Sequence, residues 1–204
     1  MDFKRTQAPG IILHDWGLVE YETARRQMDE IHEAAVRDGR NHLIFCSHPS
    51  VFTVGSDGGE WPVPTVPTDR GGSITCHSEG QLVTYFCFQA PRPALFYRRV
   101  LRAYEAFFAE LLTAVRYDKN RPGFYVANRK IASLGFRYRR GVSLHGVALN
   151  VDVNLAFHSL VAPCNLEGIS PTSLAAEGVN IAMEDGTSIL LAKIMEAFND
   201  PVQA

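Results

Sequence analysis

No stretch of this 204-residue chain approaches the ~18 consecutive apolar residues that a membrane span requires. Charge of one sign is lacking too. Lys and Arg number 20 against 22 Asp and Glu, a formal net charge of −2, so no whole-molecule field draws the protein to nucleic acid or an anionic membrane. Cysteine is scarce: Cys46, Cys76, Cys87 and Cys164 are irregularly spaced and form no C-x-x-C pair. The opening Met1-Asp2-Phe3-Lys4-Arg5 leads to no signal-type apolar segment, so the expectation is reduced thiols in a cytoplasmic protein. A G-x-x-x-x-G-K-[ST] phosphate loop is missing, which excludes a P-loop. Cys46-Ser47-His48 and Cys76-His77 offer metal-ligand types without the spacing of a structural zinc site, so no metal is expected.

What is present suits one globular domain over residues 1–204. The chain is 46% hydrophobic and carries no repeat, low-complexity segment or linker. Tyr21, Ala24, Met28, Ile31 and Ala35 recur at three- and four-residue intervals and predict a helix over 18–38. Strands are expected over 42–46 and 51–54, a long Gly/Pro/Asp-rich loop over 56–72, and a strand pair over 73–76 and 82–88. A second helix is expected over 95–115, strands over 123–127, 130–138 and 142–153, and a last helix over 187–198 that stops before Pro201. Strands in adjacent groups between separated helices make this an α+β domain, a mixed β-sheet flanked by helices, and not a Rossmann-type alternation.

Four segments carry chemistry. In Arg70-Gly71-Gly72-Ser73-Ile74-Thr75-Cys76-His77, paired glycines before a strand let the backbone approach a ligand, and Arg70 could neutralise a carboxylate or phosphate; an ordinary glycine turn is the plain alternative. In Lys130-Ile131-Ala132-Ser133-Leu134-Gly135, a lysine amid small and apolar residues can shed hydration and become a usable base, unless it snorkels to water. In His145-Gly146-Val147-Ala148, Gly146 and Ala148 leave room for a ligand on one strand face. His145, a supporting residue at most, could donate a hydrogen bond, shuttle a proton or merely pack. In Ala162-Pro163-Cys164-Asn165, a cysteine follows proline in a polar turn and could be an acyl-transfer nucleophile, whereas Cys46 and Cys87 end or occupy apolar runs and read as packing. Two arginine clusters, Arg98/Arg99/Arg102 and Arg137/Arg139/Arg140, are solvated faces or a surface for an acidic carrier protein.

Taken in order, these segments resemble the lipoyl(octanoyl) transferase family, which shares one cofactor-transferase fold with biotin and lipoate protein ligases. The resemblance is carried by His48-Pro49-Ser50-Val51-Phe52-Thr53-Val54-Gly55, by Arg70-Gly71-Gly72 through Thr75, His77, Gly80 and Gln81, by Lys130-Ile131-Ala132 and Gly135, by His145-Gly146 with Ala148-Leu149-Asn150-Val151, and by Pro163-Cys164. It implies a biotin/lipoate protein ligase-like fold and a mechanism in which Cys164 takes an octanoyl group from acyl carrier protein as a thioester. Lys130 would lower the thiol pKa and later accept a proton from the incoming amine. The implied acceptor is a lysine on a lipoyl domain of a 2-oxoacid dehydrogenase E2 subunit or on the glycine-cleavage H protein. The implied acyl walls are Arg70 to His77, Ser133 to Gly135, and Gly146 to Ala148, with no ATP, metal or other cofactor, no nucleic acid and no membrane. Two departures stand out. Ser78-Glu79 replaces a common Gly-Pro, which would put a carboxylate beside the site, and Asn165 replaces the glycine that commonly follows the cysteine.

Overall fold

The computed structural model describes residues 4–8, 10–161 and 168–199. Its frame is a mixed sheet in the order β1-β2-β3-β7-β11-β10-β9-β8. In chain order these strands are β1 (Lys4–Ala8), β2 (Ile11–Leu18), β3 (Asn41–Ser47), β7 (Gln81–Cys87), β8 (Val115–Asp118), β9 (Gly123–Val126), β10 (Arg129–Arg139) and β11 (Val142–Asn150). Neighbours run antiparallel except β2 and β3, and the two-residue β12 (Ser170–Pro171) adds to β10 in parallel. A small second sheet joins β5 (Val66–Pro67), β4 (Val51–Val54) and β6 (Ile74–His77). The α+β expectation of a mixed sheet flanked by helices holds.

The helices are α1 (Tyr21–Asp38), α2 (Pro93–Leu111), the one-turn α3 (Leu155–His158) and α4 (Met183–Asn199). α1 ends at Gly39, whose φ of 69° places its N–H on the Ala35 carbonyl, the usual left-handed stop. α2 opens on Pro93, where no amide hydrogen is needed. α2 and α4 cover one face of the large sheet, closing a core with Phe86, Phe88, Phe96 and Phe107 at its centre. α1 covers the other face through Ala24, Met28 and Ala35, against Ile44, Val83 and Ala148.

Several boundaries move for identifiable reasons. His32 is fully buried where Ile31 was expected to lead, because its Nε2 reaches the Arg139 carbonyl at 3.0 Å. α2 stops at Leu111, and Val115 opens strand β8 instead, paired with Val126 of β9. β11 stops at Asn150 because the amides of Val151 and Asp152 both turn to the Gly80 carbonyl. α4 begins at Met183, four residues early, with Glu184 and Asp185 in its first turn where the helix dipole favours them. β1, β2, β8, α3 and β12 were not foreseen, nor was β5 within the expected 56–72 loop.

Candidate active site

The α1 face of the sheet is only partly covered by that helix, and the small sheet packs over the remainder. Between the two sheets lie two small cavities of about 30 Å³ each, sharing Thr75 and Ser133 as common wall. Lys130, Ile74, Cys76, Gln81 and Asn150 line the first. Arg70, His77, Leu134, Gly135, His145, Gly146, Val147 and Ala148 line the second, with Tyr21 and Tyr85. Gly71, Gly72 and Ser73 lie on a third, more open groove of about 400 Å³ that shares Leu134 and Gly135 with the second cavity. The three sequence segments that fall on described residues therefore converge on one region. Cys164 lies outside the described residues.

Lys130 is 3% exposed. Its strand is fixed on both sides: Tyr125 of β9 stands in register with it, and the Lys130 carbonyl accepts from the Thr172 amide at 2.9 Å. Its Nζ lies 5.6 Å from the Tyr125 ring centroid, within cation–π range. The snorkelling alternative is thereby removed.

A buried polar chain holds the rest in place. Arg70 Nη2 donates to the Thr53 carbonyl at 2.8 Å and to Thr53 Oγ1 at 3.0 Å. Thr53 Oγ1 meets His77 Nε2 at 3.5 Å, and His77 Nδ1 meets Gln81 Oε1 at 2.7 Å. Gln81 Nε2 donates to Asn150 Oδ1 at 2.9 Å, and Asn150 Nδ2 to the Thr172 carbonyl at 2.8 Å. Every member is buried, and a connected hydrogen-bonded network fixes one arrangement where isolated polar groups would cost stability. Thr53, Gln81 and Asn150 belong to the motifs but had no assigned role; the signal for them was polarity inside otherwise apolar strand patterns.

Arg70 lines the second cavity and also has a structural use. Its guanidinium braces its own loop through Thr53 and the Gly71 carbonyl, while its stem lies over Gly135. That approach requires glycine, since a Cβ at position 135 would sit 2.9 Å from the Gly71 carbonyl oxygen and 3.2 Å from Arg70 Cδ. Gly146 likewise has a packing reason, for a Cβ there would collide with the Thr84 carbonyl oxygen on β7.

His145 takes a left-handed backbone conformation, φ 62°, unusual for a non-glycine residue and often kept where a site depends on it. Its Nε2 meets Asp69 Oδ1 at 2.7 Å, tying β11 to the Arg70 loop. The same bond holds the Asp69 carboxyl down at about 2. Three other groups are neutralised by burial: the pKa values of His48, His77 and His158 all lie below the ordinary value, that of His158 at about 4.

The described cysteines are packing residues. Burial pushes the Cys76 and Cys87 thiols up to about 12 and that of Cys46 well above its usual range, which leaves almost no thiolate. His48 is engaged by the Val19 carbonyl and the Tyr85 hydroxyl, each at 2.8 Å. Among the described residues no group of three or more His, Cys, Asp and Glu side chains is placed to hold a metal ion. Glu79 is exposed and lines neither of the two small cavities. The Arg137 cluster is partly spent internally, with Arg139 on Asp29 and Arg140 on Glu33 of α1.

The model of the lipoyl protein ligase A/B catalytic domain matches residues 20–199. An octanoyltransferase of Chromobacterium violaceum is 36% identical over 193 residues, covering 90% of this chain and 93% of that protein. Among solved structures, lipoate-protein ligase A bound with ATP superposes with a TM-score of 0.69 at 16% identity, covering 92% of this chain and 84% of that one. The bipartite lipoate protein ligase from Thermoplasma acidophilum, studied with its E2 lipoyl domain, superposes with a TM-score of 0.65 at 16% identity, over 91% and 82% of the two chains. The chain belongs to the lipoyl protein ligase A/B catalytic-domain family, and it is an acyltransferase.

Proposed function

We propose that the protein transfers an octanoyl group from octanoyl-acyl carrier protein to a lysine of a lipoyl domain, on a 2-oxoacid dehydrogenase E2 subunit or the glycine-cleavage H protein. The observation that carries this reading is the burial of Lys130 in a cavity that shares a wall with the Arg70, Gly135 and Gly146 cavity. The octanoyltransferase name of relatives at this level of identity supports the choice of acyl group.

In the proposed reaction the Cys164 thiol gives its proton to Lys130 as its sulfur attacks the thioester carbonyl, forming a new C–S bond; the C–S bond to the carrier breaks, and Lys130 returns that proton to the carrier's thiolate. The acceptor amine then attacks the acyl-cysteine, the C–S bond breaks, and Lys130 takes the proton that the amine gives up. Thioester exchange is nearly balanced and aminolysis runs downhill, so neither ATP nor a metal is consumed. Burying the acyl chain at ~0.8 kcal/mol per methylene supplies several kcal/mol of binding. Cavities of about 30 Å³ are water-sized, while benzene alone occupies a site of ~150 Å³, so the walls around Thr75 and Ser133 must part to admit the chain.

Intact-mass spectrometry after exposure to octanoyl-acyl carrier protein tests the reading. The wild type should gain one octanoyl adduct, Cys164→Ser should lose the thioester, and Lys130→Ala should form it at least ~100-fold more slowly, as removal of a general base does. Transfer to an apo-lipoyl domain that depends absolutely on ATP would overturn the proposal in favour of an acyl-adenylate ligase.

A further inference from the structure

The Ser78-Glu79 departure has a partner elsewhere in the chain. Ser78 Oγ lies 2.9 Å from His158 Nε2, across 80 residues of sequence. Both residues are buried, at 3% and 4% exposure. The hydroxyl has one proton to give, and it donates to the Glu79 carbonyl at 3.2 Å. Its lone pairs then accept from His158 as the Nε2–H tautomer, so each group satisfies the other. His158 is the last residue of α3 and lines the cavity that Lys130 lines. The turn that carries Ser78 is itself fastened to the site, because the Ser78 carbonyl accepts from the Gln81 amide and from Ser47 Oγ.

We infer that Ser78 and His158 are a positioning couple for acyl transfer: the hydroxyl orients the imidazole, and the pair docks α3 on the 77–81 turn to hold one wall of the Lys130 cavity in register. The inference rests on the octanoyl-transfer reading and deepens it. Burial keeps His158 neutral, its pKa held at about 4, so this wall adds no charge to the cavity. A substituted turn and a distant histidine thus form one unit, and removal of either half leaves the other buried without its partner.

Single-turnover formation of the octanoyl adduct, followed by mass at saturating octanoyl-acyl carrier protein, tests the couple in the full-length chain. Ser78→Ala and His158→Leu should each slow the step roughly tenfold, with the half-saturating donor concentration within about twofold of wild type, as misplacement of reacting groups does. The double variant should be no slower than the slower single one, because the two residues act together. His158→Gln keeps an amide N–H near the Nε2 position and should recover the rate to within about threefold. Thermal midpoints taken alongside separate a slower reaction from a smaller folded fraction, and Ser78→Ala with His158→Gln keeps the test intact if His158→Leu does not fold. Single variants at the wild-type rate, or losses that multiply in the double variant, would overturn the couple. A wild type that forms no adduct would instead refute octanoyl transfer.

Discussion

The two faces of β7 and β11 meet different demands. On the α2/α4 side, Leu82, Phe86, Val147 and Leu149 enter a core in which Phe88 packs edge-on to Phe86, Phe96 and Phe198 at centroid distances of 5.3, 6.1 and 4.9 Å. On the opposite side, Gly146 and Ala148 stand beside Tyr85, His77 and the Arg70 loop. One face is large, aromatic and filled; the other is small, polar-linked and cavitated. Because successive strand residues alternate faces, one sequence can write both at once. Stability should therefore reside mostly on the first face, and sensitivity to pH and of catalysis on the second.

Phe88→Ala probes the filled face at its end remote from Lys130. Phe88 is 1% exposed, and truncation of such a ring costs ~3–5 kcal/mol. Equilibrium urea unfolding should show that loss, with transfer per folded molecule unchanged. A loss below ~1 kcal/mol would mean that the aromatic face is not where stability resides.

Acid probes the other face, where His48, His77 and His158 are buried neutral. Their folded pKa values lie below the ordinary 6.5, so the unfolded chain binds the extra protons as pH falls. Stability is full above pH 6.5 and is lost as pH drops towards 4, the window set by His158 at about 4. That residue alone accounts for on the order of 3 kcal/mol by the lower limit. Urea midpoints measured between pH 7 and 4 should fall steadily, and His158→Gln should flatten the slope. An unchanged slope in that variant would place the acid sensitivity elsewhere. Below this window Asp69, held at about 2 by His145, adds a loss of the same sign.

The packing of helices on both faces was legible in the sequence because apolar periodicity is a local signal. The helical stripe through Tyr21, Ala24, Met28 and Ala35 and the alternation through Val147 and Leu149 both fall where they were read. β2 was not legible, since an eight-residue run of mixed polarity gains its identity from parallel pairing with β3. The site was legible as an ordered set of motifs but not as geometry. The bracing role of Arg70 was hidden because its partner, Thr53, lies 17 residues earlier on another strand. Ser78 read only as a departure from a common Gly-Pro, because its partner His158 lies 80 residues away. Polar side chains take their meaning from partners that spacing alone does not reveal.

Gly135→Ala sets the two faces against each other with a single methyl group. The added carbon would meet the Gly71 carbonyl and the Arg70 stem, both on a loop and not in the aromatic core. The loop backbone must shift to admit it, so the stability cost should fall at ~1–3 kcal/mol, the usual range of overpacking and below that of Phe88→Ala. The displaced loop carries Arg70, which both lines the second cavity and begins the polar chain that reaches Thr53, His77 and Gln81. Adduct formation should therefore fall by at least about tenfold in a protein whose urea midpoint moves less than that of Phe88→Ala. The reverse pattern, a large stability loss with an unaltered rate, would show that the close approach of Gly135 to Gly71 serves packing alone. The division of labour between the two faces would then fail at the position where it is most exposed to test.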